Sequence, residues 1–336
     1  MSKALAFIDL LGFSNMVSKD YKKAKQILND FYNLTYKIIK EEDAIKGNLF
    51  SDSLLVHSDT PAILVNTITK IYRECLKKNE EYLRNDDLKG FFLLPRGGVS
   101  AGVVDIEERA EAPNLTKGFI VSPALVHSAK MESKIKGSRL LIADDNSNNE
   151  IIFNWNINIT SILYKKETFV FWENFNYYDA LWFLDTSKEY DNQKDEVKEL
   201  LNIIFSLVEA NSTASKEILE QHIQTLRIGL LSYTKFLNNC YLSDDIIEKI
   251  INDFSDDKYW LIWLTLIEVI MQISDSFILC DNANIINFYK KVSIKESWIK
   301  VIKEINDPKN KYLKESFEKF LNESWHIPKL EVTQNI

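Results

Sequence analysis

A change of hydrophobic period near residue 187 constrains this chain more than any other feature. Before it, short apolar runs of strand length alternate with amphipathic stretches. After it, every segment carries the 3.6-residue period of a helix. The first part predicts strands over 4–10, 45–50, 53–57, 91–104, 118–121 and 139–143, and an aromatic hairpin over 169–185. Ala24, Ile27, Leu28, Phe31, Leu34, Thr35 and Ile38 recur at helical spacing, predicting an amphipathic helix over 19–41. Thr60-Pro61 and Ser122-Pro123 each place a capping hydroxyl before a proline, as at a helix start, and predict helices over 60–83 and 122–134. The second part predicts helices over 194–210, 216–238, 243–254, 258–274 and 293–323. This order implies an α+β fold: a mixed sheet flanked by helices in residues 1–187, then an α-helical region in 188–336.

Composition narrows the function classes. A formal net charge of -8 argues against a surface for duplex nucleic acid, while leaving room for a local basic pocket. The longest apolar stretch, Tyr259 to Ile273, is shorter than a bilayer span and contains Glu268, so it reads as a core or dimer helix and not a membrane segment. Residues 1–13 lack a small-residue cleavage site and do not read as a signal peptide. Cys75, Cys240 and Cys280 are widely spaced and odd in number, which fits a reducing, cytoplasmic compartment better than a disulfide framework or a zinc site. The four histidines show no metal-ligand spacing and read as surface or locally bonded residues.

Two carboxylates stand out by context. Asp9 ends the first strand, where the chain turns through Leu11-Gly12-Phe13-Ser14 into a helix. Asp52 sits in the turn of the hairpin that follows. If that hairpin pairs beside the first strand, both carboxylates project at one end of the sheet. Hard oxygen ligands on rigid backbone suit Mg²⁺ or Mn²⁺, and turn amides leading into a helix suit a phosphate. Taken alone, an aspartate at a strand end or in a turn is usually a capping or solvated residue.

Four segments in order resemble the class III adenylate and guanylate cyclases. Phe7-Ile8-Asp9-Leu10-Leu11-Gly12-Phe13-Ser14 is similar to that family's opening segment with its first metal aspartate. Leu49-Phe50-Ser51-Asp52-Ser53 resembles the segment of the second. Arg96-Gly97-Gly98-Val99-Ser100-Ala101-Gly102 looks like its arginine–glycine strand, and Val121-Ser122-Pro123-Ala124-Leu125 through Lys130-Met131-Glu132 stands where the family has its transition-state helix. The match covers about residues 4–145. It implies a cyclase-type fold with a ferredoxin-like core, and a homodimer with composite sites. It also implies two Mg²⁺ or Mn²⁺ ions on Asp9, Asp52 and the carbonyl of Leu10. Phosphates would meet the amides of Leu11, Gly12, Phe13 and Ser14, with Arg96 either supporting them or pinning the sheet. Lys130 would serve the partner's site.

The departures are as informative. Asn48 falls where purine cyclases place a base-reading lysine, and Val126 and Lys130 replace the transition-state asparagine and arginine. Lysine keeps the charge but loses the planar fork. Arg96-Gly97-Gly98-Val99, the Ser122-Pro123 helix start, Glu132-Ser133-Lys134 and Arg139-Leu140-Leu141-Ile142 resemble the pyrimidine cyclases of the bacterial anti-phage system Pycsar. That narrower resemblance implies UTP or CTP as substrate, Asn48 and Phe50 as base contacts, and an effector reached through a diffusible cyclic nucleotide. Glu132 and Lys134 themselves read as surface charges. Two other readings stand beside this one: a degenerate cyclase-like dimeric scaffold or nucleotide-binding module, and an unrelated helical interaction protein.

Overall fold

Ser2–Leu10 forms β1, the strand around which the sheet is built. The structure is a computed structural model describing residues 2–112, 115–144, 163–169, 175–188, 190–211 and 214–237, with 306–308, 311 and 314. The apolar run of β1 is continuous because both of its faces are covered: Ala4, Leu5, Ala6 and Ile8 are at most 1% exposed. β3 (Ser53–Ser58) and β4 (Pro95–Val103) pair with β1 on either side, both antiparallel. β2 (Lys46–Phe50) lies beyond β3 as an edge strand. On the other side β7 (Leu140–Asp144) runs parallel to β4, followed by β9 (Phe175–Ala180) and β8 (Leu163–Phe169). Among the described residues this is one mixed sheet in the order β2-β3-β1-β4-β7-β9-β8, with β5 (Asp105–Ala112) and β6 (Leu115–Val121) as a separate ribbon.

Helices complete the α+β architecture. α1 (Phe13–Lys19) and α2 (Tyr21–Ile39) connect β1 to β2. The side chain of Asp20 accepts the N–H groups of Lys22 and Lys23 and so caps α2, whose buried stripe of Ala24, Ile27, Phe31, Thr35 and Ile38 follows the predicted spacing. α3 (Pro61–Arg84) packs against β1 and β3 and is itself covered by α2 and by α5 (Lys194–Ala210). α4 (Pro123–Lys134), capped by Ser122 on the Leu125 N–H, lies on β4 and β1. Ala124 joins Leu5 and Leu55 in its core.

The chain divides into two compact units, Met1–Ala210 with Glu220–Ser232, and Asn211–Leu219 with Tyr233–Ile336. α6 (Lys216–Leu237) contributes its 220–232 part to the first. There Thr225 Oγ1 accepts the Ser138 N–H at 2.8 Å, and His222 meets the Phe92 ring edge-on with centroids 4.6 Å apart. Burial drives the His222 pKa down to about 3, so this histidine is a neutral core residue and not a surface one. No helix among the described residues is long and apolar enough to cross a membrane.

Three segments differ from the sequence expectation. The strand expected from residue 91 starts at Pro95, because Asn79 of α3 takes over the backbone of the buried Phe91–Leu94 stretch. Its Oδ1 accepts the Leu93 N–H at 2.8 Å and its Nδ2 donates to the Leu93 carbonyl at 2.9 Å. The aromatic hairpin lies earlier, as β8 and β9. Leu181–Leu184 is a buried turn whose carbonyls at Trp182 and Leu184 accept from Arg73 Nη1. β5 was not expected, since DIEERAEA favours a helix by propensity and becomes a strand only by pairing with β6. The helices expected at 243–254, 258–274 and most of 293–323 fall outside the described residues.

β7 is locked to β9 by a buried fork. Arg139 Nε and Nη2 donate to Asp179 Oδ1 and Oδ2 at 2.9 and 2.6 Å, with side chains 12% and 1% exposed. Asp179→Asn should cost about 3–5 kcal/mol in urea denaturation, because it strands the Arg139 charge in the interior. A loss under about 1 kcal/mol would show that water reaches the guanidinium.

Candidate functional site

The register of the sheet places the candidate residues in rows. Phe50, Ser53, Asp9 and Arg96 are directly opposite one another on β2, β3, β1 and β4, so their side chains share a face. The next row on that face is Asn48, Leu55, Phe7 and Gly98. It is the face on which α4 lies, since Gly98 sits under Ser128 and Met131. Asn48 and Phe50 are both exposed on the edge strand, with the Phe50 ring 6.5 Å from that of Phe7.

Asp52 reaches the same end through a two-residue turn. Phe50 pairs with Ser53, leaving Ser51 and Asp52 as the loop, and Ser51 takes a positive φ of 51° as the first loop residue of a tight hairpin requires. Three bonds hold this turn, one to α2 and two to the end of β1. Tyr32 on α2 donates its hydroxyl to the Ser51 carbonyl at 2.8 Å. The Leu10 N–H donates to the Asp52 carbonyl at 3.1 Å, and Ser53 Oγ donates to Asp9 Oδ1 at 3.1 Å.

The electrostatics of the pair follow from this placement. Burial raises the Asp9 pKa above its ordinary value, and the nearby charge of Asp52 raises it further; the Ser53 hydroxyl and Arg96 oppose this without cancelling it. Glu132 on α4 is likewise raised, mainly by burial and also by Asp9 and Asp52, with Arg96 pulling it down. The site therefore concentrates negative charge beyond what its single arginine neutralises. Among the described residues no group of three or more histidine, cysteine, aspartate or glutamate side chains is arranged to hold a metal. A cation here would rest on two carboxylates, with its remaining oxygens from backbone carbonyls, water or a phosphate, the donor set that suits Mg²⁺ and Mn²⁺.

A raised carboxylate pKa means the folded protein holds that proton more tightly than the unfolded chain. The stabilising contribution is complete below the ordinary value of 3.8 and is lost as the pH rises through the raised one. Asp9→Asn should accordingly raise the melting temperature of the metal-free protein in EDTA near pH 7. The advantage should shrink toward about pH 4. A difference between variant and wild type that does not change with pH would refute this account of Asp9.

The glycine turn beside the pair is shaped for close approach. Gly12 has φ +67°, and a Cβ there would stand 3.2 Å from the Phe92 ring, so both conformation and space favour glycine. α1 begins at Phe13 without a side-chain cap. The Leu11 amide is already bonded to the Leu94 carbonyl at 2.9 Å, and that of Leu10 to Asp52, leaving the amides of Gly12, Phe13 and Ser14 as the phosphate candidates.

Two residues are placed differently from the rest. Lys130 lies on the exposed side of α4 with Val126, one turn away. Glu132, expected among the surface charges, is 7% exposed and faces the site, 2.5 Å from Arg96 Nε. The spacing of Ala124, Ser128 and Glu132, four residues apart on one helical face, was the available signal.

No protein-family model matches the chain, and no curated protein does. Solved structures of nucleotide cyclases do match. Adenylate cyclases from Trypanosoma brucei in their monomeric state align with 54% of this chain and 90% of theirs, at 12% identity and TM-score 0.43. The adenylyl cyclase CyaB from P. aeruginosa aligns over 53% and 93%, at 16% identity and TM-score 0.41. The guanylate cyclase domain of RhGC from Catenaria anguillulae, solved in complex with GTP, aligns over 53% and 95%, at 16% identity and TM-score 0.38.

Proposed function

We propose that this chain is a metal-dependent nucleotide cyclase of the class III kind, which converts a nucleoside triphosphate into a 3′,5′-cyclic monophosphate and pyrophosphate. Residues 1–187 would form the catalytic domain and 188–336 an accessory helical region, in a cytoplasmic homodimer. The observation that carries this reading is the meeting of Asp9 and Asp52 at one sheet end, fixed by main-chain and hydroxyl bonds yet short of positive charge. Asp9, Asp52 and the Leu10 carbonyl would hold two Mg²⁺ or Mn²⁺ ions. When bound, such ions make a ribose hydroxyl more acidic and neutralise a triphosphate.

The protein's own part is placement. Amides of Gly12 to Ser14 orient phosphate oxygens, and the half-exposed Phe50 ring with Asn48 offers a flat contact and an amide to the base. The 3′-oxygen then attacks the α-phosphorus in line. The bond to the bridging oxygen breaks, pyrophosphate leaves, and the hydroxyl proton passes to solvent. The exposed position of Lys130 suits a composite site, in which α4 of a second copy supplies the cation. An amide without a lysine at position 48 favours UTP or CTP over a purine, and a pyrimidine cyclic nucleotide would fit anti-phage signalling through a separate effector.

The replacement of the transition-state asparagine and arginine by Val126 and Lys130 supports a second reading, a degenerate cyclase-like scaffold or nucleotide-binding module. Incubating the protein with Mn²⁺ and each of the four NTPs, with products read by mass spectrometry, separates the two. Cyclic UMP or CMP supports the full proposal, and cyclic AMP or GMP keeps the chemistry but refutes the base assignment. No cyclic product from any NTP favours the scaffold.

A further inference from the structure

Both oxygens of Asp9 are already engaged. Oδ1 accepts from Ser53, and Oδ2 lies 3.7 Å from Arg96 Nη2. A cation taking Oδ2 must therefore displace the guanidinium or share with it. Arg96 has somewhere to go: Nε is 2.5 Å from Glu132 Oε1, and Nη1 donates to the Ile135 carbonyl at 3.4 Å, both on the α4 side. Of the two carboxylate contacts that the guanidinium makes, the one to Glu132 is the shorter. Glu132 is 7% exposed and Arg96 is the one cation that the structure pairs with it among the described residues.

We propose that Arg96 is the resident counter-cation of Asp9 and that Glu132 is a positioning residue, drawing Arg96 toward α4 so that Asp9 becomes available to a divalent ion. The inference rests on the metal-site reading above. It assigns Arg96 a place between the two carboxylates, in competition with the metal. Removing Glu132 leaves the guanidinium to Asp9 alone, and removing the guanidinium frees Asp9.

The test is isothermal titration of Mn²⁺ alone into the full-length protein. Glu132→Gln should weaken Mn²⁺ binding by about five- to tenfold, the size of one unit charge acting at a partly solvated site. Arg96→Met should tighten it by a similar factor, and Arg96→Lys should stay within about twofold of wild type. In the Arg96→Met background, adding Glu132→Gln should weaken binding by clearly less than it does in the wild type, because the part of its effect that runs through Arg96 is gone. Equal weakening in both single variants, or full additivity in the double, overturns the inference while leaving the metal site standing. If Arg96→Met does not fold, an unchanged affinity in Glu132→Gln overturns it. Wild-type protein that binds no Mn²⁺, with or without an NTP, sinks the metal-site reading and this inference with it.

Discussion

Asp9→Ala and Asp52→Ala are each expected to abolish cyclic nucleotide formation, by at least about a thousandfold, while leaving the fold intact. The magnitude follows from the several kcal/mol of transition-state charge stabilisation that a metal pair supplies, at about 1.4 kcal/mol per factor of ten. The preservation of the fold follows from the site itself. Asp9 is a burdened carboxylate, raised by burial and by its neighbour, so its removal relieves the metal-free protein. Asp52 is tied to β1 through its backbone carbonyl, which alanine retains. Activity and stability should therefore separate, with turnover lost and the EDTA melting temperature unchanged or raised. Product assays on the two variants, beside thermal melts in EDTA, check both halves. A variant that loses activity together with ten degrees of melting temperature would mean that these aspartates hold the fold and that the loss says nothing about chemistry.

The parts of the site that were legible in the sequence are local ones. An aspartate ending a buried apolar run must surface at a sheet end, and a second aspartate in a tight turn between two strands must do so as well. Adjacency of the two needed only that the hairpin pair with the first strand, which β3 does. What the sequence hid depends on contacts between distant residues. Tyr32 clamps the Ser51 carbonyl from 19 residues away. Glu132 sits in a charge-rich run, KMESK, that reads as solvated until α4 is laid on the sheet. Arg96 was ambiguous for a related reason, because its two carboxylate partners come from β1 and α4. The same holds for the fold. The stripe of α2 was readable from its spacing, whereas the non-strand path of Phe91–Leu94 depends on Asn79, an amide in the middle of another helix. Short-range pattern carries element type; the side chain that answers a backbone group across the core does not announce itself.

Gly98→Ala should be strongly disruptive for a single added methyl under α4, costing about 2–4 kcal/mol and taking activity down with it. Glycine inside a strand ordinarily costs about 0.5–1 kcal/mol through chain entropy, so alanine would stabilise an open position. Position 98 is not open. A Cβ would stand 2.6 Å from the Ser128 carbonyl oxygen and 2.9 Å from Met131 Cβ, and the first of these is backbone that cannot rotate away. Relief requires α4 to lift from the sheet. That motion is opposed by the Ser128 hydroxyl, which donates to the Leu5 carbonyl at 3.1 Å, and by Met131 packed with Leu141 and Tyr177. Lifting α4 also withdraws Glu132 from Arg96, so the loss of activity should exceed what the unfolded fraction explains. Gly102→Ala is the control: its Cβ would meet Ala124 only at ordinary contact, 3.4 Å and beyond, on the same strand and under the same helix. Equal effects of the two substitutions in urea denaturation would refute the claim that the close approach of α4 to β4 at Gly98 sets the geometry of the site.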